Sequence, residues 1–428
     1  MELTKLVENL QYSRTKEELY RAFYDSFRGL SPSSTLNISV ILLTLPCHGM
    51  GDLVFAFRLY NYLKQWYNAK VTIATTLPAF FNKQNVPEND IHILLPERQR
   101  QCRRTGKFPT INELYDLIFV APLNKDYDIR YDDISQLIPY STRLNTFIFS
   151  EYNDSAKKRF DFPTGVGGSR VGLMLSNTTP SQSDVPTSLA ADFILAYMFP
   201  LDRPTPCFHS FLALVTSKYN SISLLDIVVP PWMPQHLRKA SLVKHIFGFM
   251  YVEIYHRKRP TVKFEIPNGG ANGHGHTLRI RGDILPVKNE IMLSLMRYSL
   301  PDVLLTGDQS ITDCLSCCSE KNIWYQTTPW KISLAQSLAE YMPNEYLKSP
   351  LTSCGSLDAL NYKSDYSEFV KEWDFRVRGR PKLDAIVTMT HEMKNSAAIQ
   401  TLAYNVTKTS TIQSFQNKLP RIRKSLNI

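Results

Sequence analysis

The sequence predicts an α/β fold with two Rossmann-like domains behind an N-terminal helical extension, and three observations carry that expectation. The chain has 428 residues, too many for one compact core and suited to two domains of about 200 residues each. Apolar β-branched runs alternate with helical apolar spacing along most of it, which is the pattern of parallel sheets covered by helices. At two places a short apolar run feeds a glycine-containing turn and then a helix: NISVILLTL into PCHGMGD at residues 37–52, and DVLL into TGDQS at residues 302–310.

Composition narrows the function classes. Hydrophobic residues make up 43% of the chain, and the net charge is +10. Apart from RQRQCRR at 98–104 and the RGRPK and LPRIRK patches near the end, that charge is spread out. A distributed excess suits an anionic small ligand or peripheral contact with a membrane surface, and argues against a nucleic-acid module. Seven cysteines, an odd number over a long chain, indicate reduced thiols and a cytoplasmic setting. Cys314 and Cys317 form a C-x-x-C pair without a second pair at metal-ligand spacing, so they read as core. The first 30 residues carry charges throughout and no signal-peptide core, and no run is long enough to span a membrane.

Residues 2–30 read as one or two helices, with Leu19, Tyr20, Phe23 and Phe27 on one face, ended by a Ser-Pro-Ser-Ser linker. Asn37–Leu45 is apolar enough for a strand buried on both faces, and Leu53–Trp66 follows as a helix. The turn between them lacks G-x-G-x-x-G spacing, so a dinucleotide site is not indicated. Strands are expected at Ala69–Thr75, Ile91–Leu95, Asp116–Ala121 and Arg143–Ser150, with a short helix from Pro78. The stretch 153–186 is loop-rich, with a GVGGSR cluster. A second domain begins with a strand at Asp192–Phe199 and continues through a helix at Phe208–Tyr219 and strands at Leu224–Val229, Lys263–Ile266 and Thr277–Ile284. The PNGGANGHGH run at 267–276 carries two histidines without a third ligand and reads as a loop. These readings give four regions: 1–34, 35–185, 186–345 and a C-terminal helical region at 346–428, with helices at Asp365–Phe375 and Asp384–Tyr404 and a basic tail.

Residues 301–336 concentrate the chemistry. A strand at 302–305 ends in Thr306-Gly307, and Ser310 can cap a helix whose apolar and small positions are Ile311, Cys314, Leu315 and Cys318. A second strand, Asn322–Gln326, runs into a Pro-Trp-Lys loop. Loops leaving the carboxyl ends of parallel strands, with a helix N-terminus behind them, suit a diphosphate; the plain alternative is a helix cap made by Asp308, Gln309 and Ser310. In the first domain, Asp52 and His48 lie in the turn after the first strand. Either could act as a general base, and Asp52 could equally be a helix cap.

These stretches resemble GT-B glycosyltransferases, in which two Rossmann-like domains face across a cleft. TGDQS followed by IWYQTTPWK is most similar to the corresponding segment of bacterial protein-arginine rhamnosyltransferases, and more distantly to lipid-linked N-acetylglucosaminyl transferases. GMGDLVFAFRLYNYL resembles the first turn and helix of both heptosyltransferases and the rhamnosyltransferases. The resemblance implies inverting, metal-independent hexosyl or deoxyhexosyl transfer from a nucleotide-diphosphate sugar, with no cofactor required. It makes Asp52 the acceptor-side base and assigns the donor to Thr306, Gly307, Asp308, Gln309, Ser310, Asp313, Gln326, Trp330 and Lys331; His48 is a second base candidate from its place in the same turn, and Arg281, shortly before the donor stretch, is matched by its charge to a pyrophosphate. The acceptor it implies is a glycan, a lipid-linked sugar or a protein side chain. Gln309 stands where the arginine-modifying family has an acidic residue, and the N-terminal helices lie outside the pattern. The same layout also serves nucleotide-sugar epimerases and hydrolases, and non-catalytic binding or scaffold proteins.

Overall fold

The computed structural model describes residues 3–32, 36–46, 51–94, 108–122, 131–154, 160–200, 205–266, 275–318, 320–342, 357–359 and 367–428. The chain divides into two compact units: Met1–Gly165, Ser169–Met174 and Asp374–Ile428 form one, and Val166–Gly168 with Leu175–Trp373 the other.

The first unit opens with α1 (Leu3–Gln11) and α2 (Lys16–Asp25), then runs β1 (Ser39–Thr44), α3 (Gly51–Tyr67), β2 (Lys70–Thr75), α4 (Pro78–Lys83), β3 (Ile91–Ile93), β4 (Leu117–Val120), α5 (Tyr131–Leu137) and β5 (Thr146–Ile148). Its five strands lie in the order β3-β2-β1-β4-β5, every neighbouring pair parallel. Val40–Thr44 are all buried, as a central parallel strand covered on both faces requires. The Asp116 carboxylate accepts the backbone N–H of Ser39 at 2.7 Å and its hydroxyl at 3.0 Å, which fixes the start of β1 against β4. In this order the chain reverses its winding between β1 and β4, so the carboxyl ends of those two strands form the switch point where ligands of open α/β sheets bind.

The second unit contains β6 (Phe193–Leu195), α6 (Thr205–Lys218), β7 (Leu224–Val228), α7 (Lys239–Leu242), β8 (Tyr251–Tyr255), β9 (Val262–Glu265), β10 (Thr277–Arg281), α8 (Asn289–Tyr298), β11 (Asp302–Leu305), α9 (Asp308–Cys317), β12 (Asn322–Gln326), α10 (Ile332–Tyr341), β13 (Leu357–Ala359) and α11 (Ser367–Trp373). Its strands form two groups, β6-β7-β10-β8-β9 and β11-β12-β13. A parallel bridge between Ala196 and Leu304 joins β6 to β11. The first strand of this unit therefore stands between β7 and β11, and the winding reverses at β6/β11.

The chain then returns to the first unit as α12 (Phe375–Arg378), α13 (Arg380–Asn395), α14 (Ala397–Lys408) and α15 (Ile412–Ser425). Phe375 enters the aromatic core there. Phe149 and Phe162 stack at 4.3 Å, and the Phe375 ring lies 6.2 and 6.3 Å from them. The Lys382 ammonium sits over the rings of Tyr24 and Phe162 at 5.4 and 5.1 Å and donates to the Asp161 carbonyl. Burial lowers its pKa.

Several boundaries differ from the sequence reading for local reasons. The helix expected over 384–404 is two helices, because Ser396 leaves helical geometry and its hydroxyl caps α14 through the Ile399 N–H. The one expected over 365–375 breaks at Asp374, whose carboxylate accepts the Arg376 N–H at 2.8 Å. The strand expected from Arg143 starts three residues later, since Thr142 donates to Asn145 at 2.6 Å in a tight turn.

β11 is anchored at its start by Asp302, which is buried. Its carboxylate accepts Lys218 Nζ at 2.6 Å, the Tyr219 hydroxyl at 2.5 Å and Trp324 Nε1 at 2.9 Å. Burial alone would raise the pKa of this carboxyl, but these donors outweigh it and hold the pKa below the usual range. A depressed carboxyl contributes stability that is present above its unfolded value of about 3.9 and is lost as pH falls through the folded one. Asp302→Asn is therefore expected to cost about 1.5 to 3 kcal/mol at neutral pH. The gap to wild type in urea unfolding should close below about pH 4; a gap that stays constant to pH 2 would refute this assignment.

Candidate functional site

β11 and β12 are parallel neighbours, so the turns following them leave the sheet side by side at its carboxyl edge. Thr306 and Gly307 connect β11 to α9. Gly307 precedes the helix with φ +78°, a left-handed conformation that favours glycine, and a Cβ added there would meet nothing within 4 Å. The backbone is thus bare on that side. Just behind it, α9 presents the unpaired N–H groups of its first turn, a set suited to an anion.

The helix begins two residues earlier than the expected Ser310 cap. Ser310 lies inside the first turn and donates its hydroxyl to the Thr306 carbonyl. Gln309 reaches along the helix, donating to Thr312 Oγ1 at 3.2 Å and to Asp313 Oδ1 at 3.0 Å. Asp313 is buried one turn on.

Across the two turns, Lys331 and Asp308 form an ion pair of 2.7 Å, with side chains only 8% and 18% exposed. Lys331 closes the short turn Pro329–Lys331 after β12, so the pair couples the second turn to the start of α9 and places an ammonium beside the helix N-terminus. Three side-chain oxygens in and beside these turns are buried without hydrogen-bond partners: Asp308 Oδ1 at the start of α9, the Tyr325 hydroxyl near the end of β12, and Thr328 Oγ1. Desolvation raises the Tyr325 pKa strongly and the Asp308 carboxylate adds to the rise, with Lys331 opposing. The nearby Gly307 N–H also tempers that rise, but does not reach hydrogen-bond geometry with the phenol.

Thr306 and Gln326 hold the frame. The Thr306 hydroxyl donates to the Gln326 carbonyl at 3.1 Å. The Gln326 amide accepts the Phe199 N–H at 2.8 Å and donates to the Phe199 carbonyl at 3.3 Å. Trp330 remains 45% exposed and meets the Phe199 ring edge-on at 5.2 Å, giving this edge an open aromatic face.

The structure does not bring Arg281 to this turn. It ends β10, with β6 and β7 lying between that strand and β11. Its guanidinium is taken by Asp283 at 2.8 and 2.9 Å and the Ser188 carbonyl at 2.7 Å. In the first unit, Asp52 occupies the second residue of α3 and is partly buried, beyond the carboxyl end of β1 at the switch point. His48 lies outside the described residues, as does His274 of the HGH run. Among the described residues no group of three or more His, Cys, Asp or Glu side chains is placed to hold a metal ion. No helix among them is long and apolar enough to cross a membrane.

Sequence reading leaves Tyr325 out of the donor set and takes Thr328 only as part of the 326–331 loop. Tyr325 reads as an ordinary core position of a strand, and the only signal was its place opposite Leu305, at the end of β11.

No family model matches the chain, and no curated protein matches it. Among solved structures it is similar to E. coli heptosyltransferase WaaC with ADP, at 11% identity and TM-score 0.33, covering 69% of this chain and 89% of that one. It is similar to an α-glucosyltransferase in complex with UDP and a 13-mer DNA, at 10% identity and TM-score 0.35, covering 87% and 100%. A third is a UDP-N-acetylglucosamine 2-epimerase from Listeria monocytogenes, at 10% identity and TM-score 0.30, covering 86% and 97%. Two glycosyltransferases and an enzyme of nucleotide-sugar chemistry are thus among the structures it resembles, and at these TM-scores the functional reading rests on the residues themselves.

Two substitutions probe the turn. Gly307→Ala should cost about 1 to 3 kcal/mol through backbone strain alone, read as a lower urea midpoint with an unchanged m-value; no loss would mean that the turn relaxes out of its positive-φ form. Tyr325→Phe removes a buried hydroxyl that has no partner, so it should leave the melting temperature unchanged or raised. A clear fall would show that the hydroxyl is satisfied within the fold.

Proposed function

We propose that the protein is an inverting, metal-independent glycosyltransferase that moves a sugar from a nucleotide-diphosphate donor to a glycan, lipid-linked sugar or protein side chain. The observation that carries this reading is the pairing of Lys331 with Asp308 beside the bare Gly307 turn and the N-terminus of α9. A leaving nucleotide diphosphate gains negative charge as the sugar departs, and an ammonium together with aligned helix N–H groups stabilises that charge without a divalent ion. Asp308 holds the ammonium at this point. Trp330 supplies an aromatic face for the base or the sugar ring.

Inversion needs the acceptor hydroxyl or nitrogen to attack the anomeric carbon from the side opposite the diphosphate, giving up its proton as the new bond forms. Asp52, at the switch point of the first unit, is the group assigned to take that proton, since a carboxylate at a loop edge can act as a general base. His48 is a second candidate on sequence grounds.

The test is nucleotide release from a panel of nucleotide sugars, with and without a cell lysate as the source of acceptor, alongside two variants. Asp52→Asn should keep nucleotide affinity and lower turnover by roughly 10² to 10⁴ fold; turnover at the wild-type rate would remove it from the chemistry. The charge-neutral pair Asp308→Asn with Lys331→Met should weaken binding of the free nucleoside diphosphate by about tenfold or more, and unchanged affinity would return the turn to a structural cap. Release that is independent of lysate would favour a hydrolase instead.

A further inference from the structure

The N-terminal helices have no place in the transfer reading, yet one of them lines an open pocket of about 630 Å³ within the first unit. Its walls come from three segments: Lys16, Glu17 and Tyr20 of α2, the 139–143 turn before β5, and Thr407 and Lys408 at the end of α14. The volume lies within the range of small-molecule sites. From its walls we infer a second binding site, specific for a phosphorylated metabolite of about the size of a sugar phosphate.

Three cations, Lys16, Arg143 and Lys408, line the pocket against one carboxylate, Glu17. Arg143 Nη2 holds Glu17 at 2.9 Å, which leaves the excess positive charge on the two lysines. Among the described residues neither lysine has a carboxylate partner; Lys16 lies over the Tyr20 ring at 5.7 Å. The two lysines match phosphate oxygens as point charges, while Glu17, fixed by Arg143, offers an acceptor to sugar hydroxyls. The Tyr20 and Tyr140 side chains add apolar surface for a sugar ring. An uncharged sugar would leave the lysines unmatched.

This pocket is separate from the groups assigned to transfer. The 139–143 turn enters β5 at the amino edge of the sheet, whereas Asp52 follows β1 at the carboxyl edge, a strand length away of roughly 15 to 20 Å. A ligand held here would tie α2 and α14 to the body of the first unit and would stabilise that unit by mass action.

Titration calorimetry on the full chain tests the inference with three probes: glucose 1-phosphate, inorganic phosphate and glucose. Glucose 1-phosphate should bind, and Lys16→Ala with Lys408→Ala should weaken it by about tenfold or more. The double variant Asp308→Asn with Lys331→Met should bind it as wild type does. Weaker binding of inorganic phosphate, displaced by glucose 1-phosphate, would support a site that reads both the phosphate and the sugar. Three results would overturn the inference: no binding at millimolar concentration, equal binding of glucose, or a loss that follows the Asp308 and Lys331 variant. The lysines are surface groups, and wild-type melting of the double alanine variant would establish that its loss is local; Lys16→Glu with Lys408→Glu, melting normally, should abolish binding, and retained binding would equally overturn the site.

Discussion

Parallel strand pairing is the constraint on which the rest of this structure depends. It sends every connection from one edge of a sheet to the other, so the turns that can carry chemistry collect at the carboxyl edge. In the first unit the reversal of winding falls at β1/β4 and brings the α3 N-terminus, with Asp52, to that edge. In the second unit it falls at β6/β11, and the Thr306–Gly307 turn leaves the sheet there. Both candidate turns within the described residues stand beyond strands flanking a reversal, although the two units reach it through different strand orders.

Electrostatics then distinguishes the second edge from an ordinary helix start. A carboxylate in the first turn of a helix is common and favourable. Here Asp308 also reaches a lysine from the neighbouring turn, and the pair is largely shielded from solvent. A buried pair of this kind is weak evidence for stability, since apolar replacements often serve as well. Nearby hydroxyls of Tyr325 and Thr328 that lack partners carry a desolvation cost that folding by itself does not recover. Groups left unsatisfied beside a charge and a helix N-terminus are what a site built for an anionic ligand would contain.

The ends of the chain serve the first unit. Phe375 completes the stack of Phe149 and Phe162, and Lys382 closes over Tyr24 from the N-terminal helices. Gln416 Nε2 donates to the Ser13 carbonyl at 3.2 Å and Arg423 donates to Gln11 at 2.6 Å, so α15 is held against the loop after α1. An extension fixed in this way is a wall of the unit, and the pocket beside α2 follows from that.

Local sequence determined much of the layout. The alternation of β-branched runs with helical spacing gave the α/β class, because side-chain periodicity is set by the backbone of each element. The TGDQS turn marked one edge, since Gly307 before a helix signals a backbone that other residues enter at a cost, and Asp52 of GMGD marked the other by its place after the first strand. The identities of Asp308 and Lys331 were legible as candidates, but their contact was not: it spans 23 residues and exists only because β11 and β12 pair in parallel. The same holds for Arg281, which reads as a phosphate ligand by its nearness in sequence and is drawn by strand order to Asp283 and Ser188. The boundaries at Ser396 and Asp374 also escaped the sequence reading, because a side chain that caps one helix also ends the preceding one, and periodicity does not register that choice. What the sequence determined by itself was element type and the turns of special conformation, both set within a few residues. Which charges meet, and which hydroxyls are left without partners, was decided by tertiary structure, because burial and strand order are properties of the assembled sheets.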